Sequence, residues 1–339
     1  MIVKSDSLKS LIAVSDRKIH SIGSQVVRKP LDYASMKKKL KKESVCIVCD
    51  YRFKTRKLKF PSSVKAICHP FKDVSHFPKK IKKYLFSESD FCSNLLTPVD
   101  KTDLSSIPQI DGKKYDFVYF TLLSRQGINC KGLYLLPLID MVSSELGLKG
   151  LVINYSTYTT KHHNNKVHNK LLKSIRSSWK KFDSLKCMSA KLTPKQVCAV
   201  MKNVNFVLFP NTADASPRMI AEALVRDKPV VVNSSIYGGW KYVTNDNGRF
   251  FDAPVLKDYF NSGQFNDNHI SSLYTAMKDV LCLDQTKISN DFYSQYGFAN
   301  SVQDLAQIIN KITGKEYDAV AFKEWRKPLK KVAREKGWI

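Results

Sequence analysis

The feature that most constrains this chain is an alternation that begins near residue 116. Short runs that are apolar at nearly every position, 116–121 (DFVYFT), 151–154 (LVIN), 204–209 (VNFVLF) and 229–232 (PVVV), recur with helix-length stretches between them. A strand with one wet face alternates polar and apolar residues. A run without that alternation is buried on both faces, which requires a parallel sheet covered by helices on either side. The intervening stretches fit helices. Residues 132–146 read as one, with Gly147 at its end, and a basic stretch over 170–181 reads as a second. Thr193 caps and Pro194 opens a third over 194–202, and 217–226 forms a fourth. Residues 185–188 (LKCM) add a short strand, and the chain from Asp267 onward reads as mainly helical.

Before residue 116 the pattern is weaker. Residues 44–50 (SVCIVCD) and 64–68 (VKAIC) read as buried strands and 11–14 (LIAV) as a less regular one. Between 95 and 114 the sequence turns polar and rich in turn residues, which marks a linker. A chain of 339 residues exceeds the roughly 250 that one core usually serves. The expected organisation is a short basic domain over 1–112, an α/β domain over 113–313, and a C-terminal helix over 314–339 packing back on the first.

Composition removes several classes. Apolar residues make up 43% and aromatics 11%, too much core material for a disordered chain. No apolar stretch approaches the roughly 18 residues of a membrane-spanning helix, and residues 1–20 hold no signal-peptide core. A soluble protein of the cytoplasmic side is expected. Eight cysteines are scattered, mostly inside apolar runs. Cys46 and Cys49 form a C-x-x-C without a second pair at zinc spacing, so they read as reduced and buried. His162, His163 and His168 have no acidic or thiol neighbours in sequence and read as a solvated stretch. No metal site is expected.

The net charge is +26, and half of it falls in the first 110 residues, where 23 Lys/Arg face 10 Asp/Glu. Lysine runs at 37–42 and 79–83 concentrate it. Such a field attracts nucleic acid, anionic lipid or phosphorylated ligands. Only 11 of the 56 basic residues are arginine, the preferred reader of bases, and no zinc-finger or helix-turn-helix pattern occurs. Nucleic acid is therefore the weaker reading.

Three loops carry chemistry. The segment 209–222 (FPNTADASPRMIAE) leaves a strand, turns, and enters a helix with Ser216 as N-cap, Pro217 at its first position, and Arg218 and Met219 in its first turn. Ligands of open parallel sheets bind beyond the carboxyl ends of the strands, and the unpaired N–H groups of a helix start suit a phosphate. Asp214 lies on the loop facing that crevice, and Glu222 is near enough to accept hydrogen bonds from sugar hydroxyls. After the strand 116–121 comes 124–132 (SRQGINCKG), where Arg125 and Lys131 place two cations for a pyrophosphate. The loop 237–240 (YGGW) follows the strand 229–232, and Gly238-Gly239 lets backbone approach a ligand closely.

Together these motifs resemble the nucleotide-sugar-binding half of retaining glycosyltransferases of the GT-B fold, in the large family-4-like group. Arg125-x5-Lys131-Gly132 looks like that family's R…KG diphosphate clamp, and Asp214-x7-Glu222-Ala223 looks like its E-x7-E motif with Asp in the first place. Lys228-Pro229-Val230-Val231 is similar to the strand after that helix, and Gly238-Gly239 and Asn247-Gly248 to the later glycine pairs. The resemblance covers roughly residues 115–252. It departs from the family at Pro217 and Asp227, where glycine is usual, and in lacking a Glu after Gly238-Gly239 at the usual spacing.

The resemblance implies two Rossmann-like domains facing a cleft, and transfer of a sugar with retention from a nucleotide diphosphate sugar, without metal or other cofactor. It implies Asp214 on the donor sugar, Glu222 on the ribose, and Arg125 with Lys131 on the diphosphate. Ser216, Arg218, Met219, Gly238 and Gly239 would complete the donor site. His69 and His76 are the candidates for the histidine that many members carry in the first domain. The acceptor, a glycan, a lipid-linked sugar or a protein, would bind the basic first domain, whose lysine runs would touch an anionic membrane peripherally. The rival readings are a basic nucleic-acid-binding protein and an inactive scaffold of the same fold.

Overall fold

A computed structural model of the chain describes mainly residues 64–86, 114–155, 166–214 and 218–297, with short strand segments nearer the N terminus and scattered positions over 90–110 and 300–311. The chain divides into two compact units, Met1–Thr97 with Tyr293–Ile339, and Pro98–Phe292.

The first unit is built on a mixed six-stranded sheet, in the order β3-β2-β1-β4-β5-β6. Its strands are β1 (Ile2–Val3), β2 (Leu11–Ser15), β3 (Lys18–Ile22), β4 (Val45–Val48), β5 (Val64–His69) and β6 (Lys82–Leu85). Only β4, β5 and β6 run parallel; β1, β2 and β3 pair antiparallel. The strands expected at 11–14, 44–50 and 64–68 are present as β2, β4 and β5. The sheet is therefore only partly of the parallel kind that a Rossmann-like domain implies. β6 comes from the lysine run at 79–83, whose charges hid it in the sequence. Ser301 Oγ donates to the Asp90 carbonyl at 2.6 Å, which ties the C-terminal segment into this unit. The lysine run at 37–42, the C-terminal stretch 314–339, His76, and the side chains of Cys46, Cys49, His162, His163 and His168 lie outside the described residues.

The second unit carries the expected parallel sheet. It comprises β7 (Phe117–Thr121), β8 (Gly150–Asn154), β9 (Leu185–Ser189), β10 (Phe206–Phe209), β11 (Val230–Asn233) and β12 (Gly248–Phe251). The spatial order is β12-β11-β10-β7-β8-β9, every neighbour parallel. Counted within the unit, the order is 3-2-1-4-5-6, the doubly wound arrangement, with β12 added to the strands read from sequence. β7, β8, β10 and β11 are buried at every residue, as their lack of alternation requires. Phe117 and Phe206 lie in register on β7 and β10 with ring centroids 5.2 Å apart.

Helices α1 (Arg125–Lys131), α2 (Leu136–Glu145), α3 (Lys166–Ser178), α4 (Pro194–Lys202), α5 (Arg218–Leu224), α6 (Leu256–Ser262), α7 (Asp267–Val280) and α8 (Ile288–Tyr296) follow. Thr193 and Gln196 form a reciprocal capping box at α4, as the Thr-Pro start predicts. In α7, Leu273, Ala276, Met277 and Val280 recur at three- and four-residue spacing and bury one stripe against the sheet. Each large side chain so buried contributes about 1.5–3 kcal/mol.

The helical segments after β7 also differ from the sequence reading. The helix expected over 132–146 starts only at Leu136, after a 3-10 turn at Leu133–Leu135. Gly132 has φ +73°, a left-handed residue that ends a separate short helix, α1. Arg125 and Lys131 are thus the first and last residues of a helix rather than members of a loop. Asp227, where the resembling family carries glycine, adopts φ +56°. Its carboxylate accepts the Ser289 N–H at 2.8 Å in the first turn of α8, which offsets part of the conformational cost.

Candidate active site at the switch of a doubly wound sheet

The chain leaves β7 toward β8 and β9 on one side, then returns with β10 to the other. The carboxyl ends of β7 and β10 therefore border the topological switch point, where open α/β sheets bind ligands. The loops that emerge there are those singled out from the sequence. After β7, Ser124 caps α1 by accepting the Gly127 N–H at 3.2 Å. A side chain on Gly127 would meet the Leu122 carbonyl at 1.7 Å, so this tight turn requires glycine. Asn154, buried at the end of β8, accepts the Leu123 N–H at 2.9 Å and donates to Ser189 Oγ at 2.9 Å. One asparagine thus ties the turn after β7 to β8 and β9.

The loop after β10 packs against the other end of α1. Thr212 N–H donates to the Cys130 carbonyl at 3.1 Å, and Thr212 Oγ1 to the Asn129 carbonyl at 3.2 Å. A side chain on Gly132 would lie 2.0 Å from the Pro210 carbonyl. This contact brings two predicted residues together: Lys131 Nζ forms an ion pair with Asp214 Oδ2. Asn211 Nδ2 donates to the same oxygen at 2.9 Å. Beneath them the buried Tyr119 hydroxyl donates to the Lys131 carbonyl at 2.6 Å and shares a 2.9 Å hydrogen bond with Thr121 Oγ1. Gly238 joins the cluster, donating its N–H to the Asp214 carbonyl at 2.9 Å, and Gly239 takes the left-handed conformation.

Burial lowers the pKa of the Lys131 ammonium, but Asp214, with Tyr155 and the hydrogen bond, more than offsets it, so the net shift is upward. Lys131 is a fixed cation across the neutral range. Cys130 beside it is held above its usual range, by burial first and then by Asp214 against Lys131, so it is a thiol and not a nucleophile.

Glu222 sits on α5, partly buried, within electrostatic reach of the Cys198 thiol on α4, and its main-chain carbonyl accepts from the buried Arg226 guanidinium. Arg218 is exposed and Met219 partly buried at the start of that helix. Ser216, Pro217 and the side chain of Arg125 lie outside the described residues. In the first unit His69 is buried between Phe71 and Phe77, and its Nδ1 accepts the Phe71 N–H at 3.2 Å. Among the described residues no three His, Cys, Asp or Glu side chains could share a metal ion, and no helix is long and apolar enough to cross a membrane.

No family model matches this sequence, and no curated protein matches it either. Solved structures do match. A trehalose-6-phosphate synthase, OtsA, aligns over 82% of this chain and 69% of its own, with TM-score 0.53 and 8% identity. A UDP-forming α,α-trehalose-phosphate synthase from Burkholderia xenovorans, solved with glucose-6-phosphate, aligns over 78% of this chain and 67% of its own, with TM-score 0.52 and 7% identity. Both are GT-B glycosyltransferases. This chain has the GT-B type of fold. A glycosyltransferase from Rickettsia africae also aligns over 82% of the chain, with 13% identity and TM-score 0.47; the chain spans 64% of that protein. Of the residues singled out from the sequence, Lys131, Asp214 and Gly238 meet at the β7–β10 switch point.

Asn154 and Tyr155 were not singled out from the sequence. The signal was available, since Asn154 ends and Tyr155 follows a strand buried on both faces.

Proposed function

We propose that this chain is a glycosyltransferase that moves a hexosyl group from a nucleotide diphosphate sugar to an acceptor hydroxyl, with retention at the anomeric carbon and without a metal ion. The observation that supports it most is the Lys131–Asp214 pair at the switch point of a GT-B-type sheet. An ammonium has three N–H donors, and its bond to Asp214 uses one. Lys131, with Arg125, receives the donor's diphosphate and stabilises the charge that develops on it as the bond to the sugar breaks. Asp214 accepts from the sugar's hydroxyls, and Glu222 from the ribose. Ser216, Arg218, Met219, Gly238 and Gly239 line the same donor site. The acceptor, a glycan, a lipid-linked sugar or a protein, binds the basic first domain, read as 1–112, with 113–313 as the donor domain and 314–339 as a returning helix. The protein works on the cytoplasmic side, its lysine runs touching an anionic membrane surface.

Release of the nucleoside diphosphate from UDP-, GDP- and ADP-hexoses, alone and with candidate acceptors, tests the reaction. One donor is expected to turn over. Asp214→Asn should lower that turnover more than it lowers nucleotide binding, while Glu222→Gln should lower binding. Binding of a donor with neither hydrolysis nor transfer would replace this reading with an inactive scaffold. Salt-sensitive nucleic-acid binding with no response to any nucleotide sugar would replace it with the nucleic-acid reading.

A further inference from the structure

Besides Asn211, one more side chain lies near the Lys131–Asp214 pair. Tyr155 follows β8 directly, and its N–H donates to the Thr121 carbonyl at 3.2 Å, so it extends the sheet by one residue at the carboxyl end beside β7. That backbone bond holds the phenol next to the strand from which the loop carrying Lys131 departs. The phenol lies within electrostatic reach of both Lys131 and Asp214, and the ammonium acts on it more strongly than the carboxylate does. It is also within reach of Tyr119, whose hydroxyl fixes the Lys131 carbonyl. The residue is 37% exposed, so it is open to solvent in part. Its hydroxyl makes no hydrogen bond to the described residues. Asn211 is committed to Asp214, and Tyr119 to the Lys131 carbonyl and Thr121, while Lys131 spends one of its three N–H donors on Asp214.

We infer that the Tyr155 hydroxyl is a binding group for the donor's diphosphate, donating a hydrogen bond to the same phosphate oxygens that Lys131 neutralises. This rests on the donor-site reading above. An anion placed against Lys131 lies in the neighbourhood of this phenol, which the Thr121 backbone bond holds beside β7. A phenol gives one directed donor where a second lysine would give a mobile charge, so it selects orientation as well as sign. Burial holds the phenol protonated beyond its ordinary range, with Asp214 acting in the same sense and Lys131 against it, so the donor is present at neutral pH. A phosphate, which offers several oxygens to one locus, can take both donors at once.

The test is a titration of the full chain with UDP, GDP and ADP and with the matching nucleosides, for wild type, Tyr155→Phe and Lys131→Ala. Tyr155→Phe keeps the ring and its packing and removes only the hydroxyl. It is expected to weaken the tightest-binding diphosphate roughly ten-fold, the ordinary effect of losing one hydrogen bond to a charged group. Nucleoside binding and the melting temperature should stay unchanged. Diphosphate affinity within about two-fold of wild type in Tyr155→Phe, alongside a large loss in Lys131→Ala, overturns the Tyr155 assignment and leaves the donor site standing. Undiminished diphosphate binding in Lys131→Ala overturns the donor-site reading and the Tyr155 assignment with it. An equal loss for nucleoside and diphosphate in Tyr155→Phe assigns the ring to the base and also overturns the phosphate role.

Discussion

Removing one member of the Lys131–Asp214 pair strands the other, and the structure says which removal costs more. The side chains are 18% and 15% exposed, so water cannot fully replace either partner. Two unit charges about 4 Å apart attract by about 4 kcal/mol at an effective dielectric near 20, and the desolvation already suffered offsets much of that. A net coupling of about 1–3 kcal/mol is left. The two single changes are unequal. In Lys131→Met the apolar stem keeps its packing, and the carboxylate keeps the Asn211 amide at 2.9 Å. In Asp214→Asn a largely buried ammonium is left facing an amide. Lys131→Met should therefore cost about 1–2 kcal/mol and Asp214→Asn about 2–3 kcal/mol. The double variant should be less destabilised than their sum by the coupling. Urea unfolding followed by circular dichroism, read as midpoint shifts of the affected transition, measures all three. Additivity within about 0.5 kcal/mol would refute the pair as an energetic unit, and a costlier Lys131→Met would refute the role given to Asn211.

Two further predictions concern the scaffold. Gly132 and Gly147 both have left-handed φ, but a side chain meets the Pro210 carbonyl at 2.0 Å in the first and nothing within 4 Å in the second. Gly147→Ala should cost only about 1 kcal/mol of backbone strain and Gly132→Ala at least about 3 kcal/mol, and equal urea midpoints would contradict the close approach. Alkaline pH should destabilise the protein from about pH 9 upward. Burial pushes the Cys187 thiol up to about 12 and raises the Tyr119 and Tyr134 hydroxyls well above the ordinary phenol range. The unfolded chain then loses these protons at lower pH than the folded one, so it binds fewer protons and stability falls as pH rises. Urea midpoints that stay level from pH 8 to 11 would contradict this.

The second unit was legible because its strands are buried on both faces, and such runs cannot hide among polar neighbours. β12 escaped because it reads GRFF, with a glycine packed on the Val230 carbonyl and an arginine on an edge strand. The late start of α2 escaped because the apolar run 133–139 (LYLLPLI) passes unbroken from the 3-10 turn into the helix; the reason for Gly132 is the Pro210 loop, remote in sequence. The same remoteness hid the ion pair. Lys131 and Asp214 are 83 residues apart, and only the return of β10 to the side of β7 makes them neighbours. In the first unit the chemistry of lysine misled, since Lys82 and Lys83 lie in a strand that charge alone reads as a surface loop.

The central claim is that a nucleotide diphosphate binds at the β7–β10 switch point through Lys131, and thermal stability in the presence of ligand tests it most directly. A ligand that binds only the folded chain raises its stability by about 2.7 kcal/mol at a hundred times its dissociation constant. The account predicts that one of UDP, GDP and ADP raises the melting temperature of the wild type while its nucleoside does not. It also predicts that Lys131→Ala abolishes most of that rise. Stabilisation of Lys131→Ala equal to that of the wild type, or no response of the wild type to any of the three diphosphates, would contradict it.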